Sequence, residues 1–214
     1  MKRPRVLLAD DHLMVAEGLR TLLQGSFELV GIASNGYELM RLATERKPDI
    51  IVADFAMPGL NGIDAVRILK QQGLEAKCIL LTMHADRTLA MQAFSVGAVG
   101  YILKHSAGRE LLKAIHGALR GKTFVSPYLQ LDPRSELKRH RPQAFTLSSR
   151  QRQVLQLVAE GKSMKEVANQ LGISTRTAET HKYRLMHVLG VRTTAELTQQ
   201  AIKLGLIRVA DEVA

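Results

Sequence analysis

Four apolar runs in this chain each stop at residues that can carry chemistry. Val6-Leu7-Leu8-Ala9 stops at Asp10-Asp11, Ile50-Ile51-Val52-Ala53 at Asp54, Ile79-Leu80-Leu81 at Thr82, and Tyr101-Ile102-Leu103 at Lys104. Runs this short and this apolar, separated by helix-like stretches, are the signature of parallel strands buried on both faces. In such a sheet all strand C-termini share one edge, where open α/β folds place their sites. The pattern therefore predicts that Asp10, Asp11, Asp54, Thr82 and Lys104 converge. Three carboxylates, a hydroxyl and an ammonium in one crevice suit a divalent cation and a transferred phosphoryl group.

The alternation continues to residue 120. Strands are expected over 5–10, 28–33, 49–54, 77–82 and 99–103, and helices over 12–24, 36–46, 62–72, 86–96 and 108–120. Strict βα alternation predicts a doubly wound, five-stranded parallel sheet. Gly73 and Gly97 stand where helices should end. Between 121 and 145, Pro127, Pro133 and Pro142 and the charge run Lys138-Arg139-His140-Arg141 predict a linker, with one helical turn near Tyr128–Leu131. From 146 onward no strand-like run remains. Ser148-x-x-Gln151, Ser163-x-x-Glu166 and Thr193-x-x-Glu196 each match a capping box. Gly161, Gly172 and Gly190 fall where helices should stop. Four short helices are expected, near 149–160, 164–171, 175–189 and 194–205.

Positive charge is uneven along the chain. Residues 1–120 hold 15 Lys and Arg against 12 Asp and Glu, a net of +3, whereas residues 121–214 hold 15 against 8, a net of +7. The second half is thus the one suited to a polyanion. A single cysteine, Cys78, excludes a disulfide framework and a cysteine-based zinc site, and fits a reducing cytoplasm. No apolar run approaches the ~20 residues of a membrane span. The basic start, Met1-Lys2-Arg3-Pro4-Arg5, is followed by too short an apolar run for a signal-peptide core.

A carboxylate is a weak nucleophile towards phosphorus unless cations neutralise the phosphoryl oxygens. Asp10, Asp11 and Asp54 can supply the one or two carboxylates that Mg²⁺ takes from a protein, and Lys104 is a point charge suited to a phosphoryl oxygen. Asp10-Asp11, Asp54 within Asp-Phe-Ala-Met-Pro-Gly, Thr82 and Tyr101-x-x-Lys104 resemble the receiver domain of bacterial two-component response regulators, a flavodoxin-like fold. The resemblance covers residues 5–120. It implies that Asp54 accepts a phosphoryl group from a phosphohistidine on a sensor histidine kinase. It also implies that Asp11, Asp54 and the Ala56 carbonyl hold Mg²⁺ directly, with Asp10 acting through water. Lys104 would pair with the phosphoryl group, Thr82 would swing in to bond it, and Tyr101 would follow inward as the aromatic switch. One departure is His105, where many receivers carry Pro. His84, two residues after Thr82, would border the path of the attacking water, or would be a solvent-facing loop residue.

Further on, Lys165 to Thr177 spells helix, Gly172 turn, helix, which is helix-turn-helix spacing. At 100° per residue Ala178, His181, Leu185 and Leu189 share one face of the second helix. Arg176, Glu179, Thr180, Tyr183 and His187 lie opposite, on a face that can enter a major groove. Leu-Ser-Ser-Arg-Gln-Arg-Gln-Val-Leu, Gly-Lys-Ser-Met-Lys-Glu-Val-Ala, Leu-Gly-Ile-Ser and Thr-x-x-x-His-x-x-x-x-Met together resemble the four-helix DNA-binding domain of the LuxR and NarL type. That resemblance places Glu179, Thr180 and Tyr183 where the family reads base edges, and Lys165, Thr175, Arg176, Lys182 and Arg184 at phosphate positions. Glu179 stands where relatives often carry Lys. It either accepts from a cytosine amine or is solvated without touching a base.

The sequence thus predicts a receiver (1–120), a linker (121–145) and a helix-turn-helix domain on 146–214. The two resemblances imply a cytoplasmic, non-enzymatic transcription factor of the NarL/FixJ type that binds double-stranded DNA, as a homodimer when phosphorylated. The rival from another class is a small Mg²⁺-dependent phosphohydrolase with Asp54 as nucleophile. Phosphatases of the haloacid dehalogenase type place a second Asp two residues after the nucleophile, and this chain has Ala56 there. A third reading is a pseudo-receiver governed only by partner proteins.

Overall fold

A computed structural model describes residues 3–133, 135 and 147–207 of the chain. The charge run at 138–141 and Pro142 lie outside the described residues. The chain divides into two compact units, Met1–Gln143 and Ala144–Ala214.

The first unit alternates strands and helices: β1 Arg5–Ala9, α1 Leu13–Leu23, β2 Glu28–Ala33, α2 Gly36–Arg46, β3 Ile50–Asp54, α3 Gly62–Gln71, β4 Lys77–Thr82, α4 Arg87–Ser95, β5 Ala98–Leu103, α5 Ala107–Leu119 and β6 Phe124–Val125. The sheet is parallel throughout, in the order β2-β1-β3-β4-β5-β6. The order reverses beside β1, so the crevice above β1 and β3 is the expected site.

Period-2 alternation splits the strand residues between two cores. Leu7, Ala9, Ile51, Ala53, Leu80, Tyr101 and Leu103 pack with α2, α3 and α4. Val6, Leu8, Ile50, Val52, Ile79, Leu81 and Ile102 pack with α1 and α5. Burial on both faces is why these runs contain almost no polar residue. Side-chain caps start three of the helices: Asn35 accepts from the Glu38 amide, Asn61 from Asp64, and Asp86 from Thr88 and Leu89.

One expectation needs correction. The sheet has six strands rather than five, and the sixth lies in the stretch read as linker. Phe124–Val125 pairs with Gly100 and Tyr101 of β5. A single turn of 3₁₀ helix, Pro127–Leu129, follows and buries Leu129 in the core that α2, α3 and α4 share. A strand of two residues, set between Gly121 and Pro127, is too short to show periodicity, so pattern reading cannot find it.

The second unit is all-helical: α6 Ser149–Ala159, α7 Met164–Leu171, α8 Thr175–Leu189 and α9 Thr194–Lys203. All three anticipated capping boxes form, at Ser148, Ser163 and Thr193. Val154, Leu155, Val167, Ala168, Ala178, Leu185, Leu197 and Ala201 fill the core. Gly172, at φ 63°, ends α7 in a left-handed turn that most residues resist, and sends the chain into α8.

Candidate functional site: an acidic pocket and an exposed helix face

The C-terminal edge of the sheet gathers the residues singled out in the sequence. Asp54 is the last residue of β3 and Thr82 the last of β4, while Asp10 and Lys104 directly follow β1 and β5. Asp54 is 1% exposed, and Asp10 and Thr82 are also buried. The Lys104 ammonium sits 2.6 Å from Asp10 Oδ2 and 3.1 Å from Asp54 Oδ2, bridging carboxylates that would otherwise repel. Burial pulls the Lys104 ammonium below the ordinary lysine range, and hydrogen bonding and charge from Asp10, with the charge of Asp11, oppose that shift. One donor atom each from Asp10, Asp11, His12 and Asp54 falls within 4.8 Å of the others. Oxygen donors at that spacing suit a hard divalent cation such as Mg²⁺.

Local sequence explains how the pocket is held. The Ala56 amide reaches back 3.3 Å to Asp54 Oδ1. The Gly62 amide donates to the Phe55 carbonyl, and a β-carbon at Gly62 would lie 2.2 Å from the Asp54 carbonyl oxygen. Only glycine fits there, so the start of α3 packs directly against the end of β3. The His12 amide donates to Asp10 Oδ1 at 2.9 Å, and its ring nitrogen lies 3.0 Å from Asp11 Oδ1. His12 is a pocket residue that sequence reading passed over, although its place directly after Asp10-Asp11 was the available signal.

Thr82 and Tyr101 meet through the backbone of His84. The His84 amide donates to Thr82 Oγ1 and its carbonyl accepts from the Tyr101 hydroxyl, each at 3.0 Å. Tyr101 is 0% exposed and stands edge-on to Phe55 with centroids 6.4 Å apart. The ring is already turned inward, because apolar neighbours enclose it and the His84 carbonyl satisfies its hydroxyl. Burial pushes the phenol far up, so it stays a donor. The His84 side chain is half-buried.

Beyond β5 lies a serine network that the sequence did not reveal. The buried Ser126 hydroxyl accepts from the Leu103 amide at 3.0 Å and donates to Glu110. Its amide donates to the Tyr101 carbonyl at 3.0 Å. Ser106 Oγ donates to the Leu103 carbonyl at 3.0 Å.

In the second unit, α7, the Gly172 turn and α8 form a helix-turn-helix. On α8, Ala178 and Leu185 are buried, whereas Arg176, Glu179, Thr180, Tyr183, Arg184 and His187 are exposed. Tyr183 is 71% exposed, a large aromatic ring with no core to fill. Lys165 and Thr175 are exposed as well. Ser174 caps α8 through the Thr177 amide, leaving Thr175 and Arg176 in the first turn, where the helix dipole favours anions. Lys182 turns towards α9 and donates to Thr194 Oγ1 at 3.0 Å. Arg150, another residue passed over, donates to the Leu171 carbonyl at 2.7 Å and ties α6 to the end of α7.

A parallel sheet with a buried Asp-Asp-Lys pocket at its switch point, in a chain that also carries a helix-turn-helix unit, defines a response regulator. Residues 6–116 match the response regulator receiver domain family, and residues 145–201 match the bacterial regulatory proteins of the luxR family. The chain is 30% identical to the response regulator UvrY of Escherichia coli K12 over 206 residues, 94% of each chain. It is 34% identical to the transcriptional regulatory protein MctR of Rhizobium johnstonii over 205 residues, 95% of each. Among solved structures it resembles RcsB from Salmonella enterica serovar Typhimurium, bound to promoter rprA in the presence of the phosphomimetic BeF3-. That likeness has a TM-score of 0.66 and 25% identity, covering 92% of this chain and 98% of the other. The chain belongs to the response regulators that join a receiver domain to a LuxR-type DNA-binding domain and regulate transcription.

Proposed function

We propose that Asp54 is the phosphoacceptor, and that its phosphorylation by a sensor histidine kinase in the cytoplasm controls DNA binding by α8. The buried Asp54 carboxylate against the Lys104 ammonium carries this reading. One Asp54 oxygen forms a bond to phosphorus as the bond from phosphorus to the donor histidine nitrogen breaks, and that imidazole keeps the electron pair. Mg²⁺ held by Asp11, Asp54 and the Ala56 carbonyl, with Asp10 through water, would neutralise the phosphoryl oxygens. Lys104 exchanges its contact with Asp54 for a phosphoryl oxygen, and the Thr82 hydroxyl turns from the His84 amide to donate to another. Tyr101, bonded to the carbonyl of the same residue, His84, senses that turn.

The phosphorylated chain then pairs with a second copy on double-stranded DNA, since two half-sites bound together gain far more occupancy than one. In this reading Glu179, Thr180 and Tyr183 face bases, while Lys165, Thr175, Arg176, Lys182 and Arg184 contact phosphates; the exposure of all but the half-buried Lys182 supports it. The working division is a receiver over 1–120, a connector over 121–145 whose stretch to Leu131 packs on the receiver, and the DNA-binding domain from 146. Ala56 offers no acid for a hydrolase, and the complete pocket argues against a pseudo-receiver. Incubation with acetyl phosphate and Mg²⁺ should add one phosphoryl group, mapped by mass spectrometry to Asp54. Asp54→Asn should remain folded and take up none, and wild-type incorporation in that variant would refute the assignment.

A further inference from the structure

We infer that Ser126, a residue of the connector, positions Lys104 for phosphoryl transfer, so that the pocket and the path to the DNA-binding domain share one hydrogen-bonded joint. This rests on the reading of Asp54 as phosphoacceptor.

Lys104 follows β5 directly and begins a single 3₁₀ turn, Lys104–Ser106. Where its ammonium falls therefore depends on the peptide units just before it. Both polar groups of Leu103 are held by serine hydroxyls: the amide by Ser126 and the carbonyl by Ser106. Ser126 is 1% exposed, so water cannot replace it. Its single proton goes to Glu110 on α5, which leaves the oxygen lone pairs aimed at the Leu103 amide. Through its own amide Ser126 also holds the Tyr101 carbonyl. One residue thus brackets the segment from Tyr101 to Lys104, between the ring that packs under the β4–α4 loop and the ammonium between Asp10 and Asp54.

Ser126 does not belong to the alternating fold that builds the pocket. It directly follows β6, in the stretch that leads towards the second unit, and that stretch is fastened again where Arg87 at the start of α4 donates to the Gln130 carbonyl at 3.3 Å. A shift of Lys104 towards a phosphoryl oxygen pulls on the Leu103 peptide and hence on Ser126. By reciprocity, whatever holds the connector in place favours the productive lysine position. An error of even a fraction of an ångström in a catalytic cation lowers a rate markedly.

The test is the rate of Asp54 phosphorylation by acetyl phosphate at saturating Mg²⁺ in the full chain. Wild type is compared with Ser126→Ala, Ser126→Thr and Leu129→Ala. Leu129 is buried in the same connector but touches neither Leu103 nor Lys104 by hydrogen bond, so its loss reports general loosening. Ser126→Ala should slow the maximal rate about tenfold, with the acetyl phosphate concentration for half-maximal rate little changed. Ser126→Thr, which keeps the hydroxyl, should react within about twofold of wild type. Leu129→Ala should melt earlier yet react at the wild-type rate. A wild-type rate in Ser126→Ala, a slow Ser126→Thr, or equal slowing in Leu129→Ala would each overturn the inference while leaving Asp54 as acceptor. A wild-type chain that takes up no phosphoryl group would instead remove the reading on which it rests.

Discussion

The two units treat charge in opposite ways. The receiver buries it at a point: two aspartates and a lysine meet where water is scarce, and each is satisfied by the others. The helical unit spreads it over a surface: among the described residues the polar groups buried in it are Arg152 and Gln156, and Lys165, Arg176 and Arg184 stand exposed on α7 and α8. Buried charge is costly to assemble and sensitive to geometry, which suits the transfer of one group. Exposed charge is easily assembled, weak per contact and summed over many, which suits a polyanion. The contrast predicts that the receiver responds to single substitutions and the DNA-binding domain to salt.

The largest effect is expected at the buried lysine. Lys104→Ala removes the ammonium between Asp10 and Asp54 and should destabilise the metal-free chain by about 3 kcal/mol. Mg²⁺ should recover part of that loss. The variant should also fail in signalling more completely than in phosphoryl uptake, because in the proposed mechanism the lysine reads the phosphoryl group. Urea melts with and without Mg²⁺ check the first part, and equal stability of both proteins in EDTA would break it.

The second effect is on DNA. A fragment from about residue 140 should bind DNA without phosphoryl group or Mg²⁺. With Lys165, Arg176, Lys182 and Arg184 on phosphates, its affinity should fall about 100-fold between 50 and 200 mM salt. Each lysine or arginine replaced by alanine should lower the slope by about one. A salt-independent affinity would erase the contrast between the units.

How much of this was legible in the sequence depended on how each feature is encoded. The pocket was legible because burial on both faces forces uninterrupted apolar runs, and a run's end marks the sheet edge. The exposed face of α8 was legible because burial of Ala178 and Leu185 dictates the opposite side. Capping boxes were legible because the cap and its glutamate or glutamine lie three residues apart, within one motif. Strand β6 was not, since two residues carry no period. Nor was the serine network, because Ser126, Ser106 and Glu110 are ordinary residues that become a site only when β6 lands beside β5. His12 lay in plain view but carried no period of its own. The inward Tyr101 was legible as a strand residue and not as a rotamer, since its position is set by Phe55 and the His84 carbonyl together.

The smallest effect concerns acid. Glu166 accepts from the Ser163 hydroxyl and amide, and Glu196 from the Arg192 and Thr193 amides, and those bonds hold both carboxyls below their usual range. A depressed folded-state value means stability that is present above the ordinary glutamate range and lost as pH falls through the folded value. The isolated DNA-binding fragment should therefore lose melting temperature between about pH 5 and pH 3. Glu196→Gln keeps the acceptor but not the charge and should flatten that dependence slightly. An unchanged profile would show that the cap, and not the charge, is what matters there.

The central claim is that chemistry at the buried pocket sets the occupancy of the exposed helix face on DNA. Genome-wide DNA occupancy of the wild-type chain and of Asp54→Ala, produced at equal levels under conditions that activate the kinase, tests it most directly. The account predicts a discrete set of promoters occupied by wild type, with occupancy about tenfold lower in Asp54→Ala. The same promoters occupied to the same level by both proteins would contradict it.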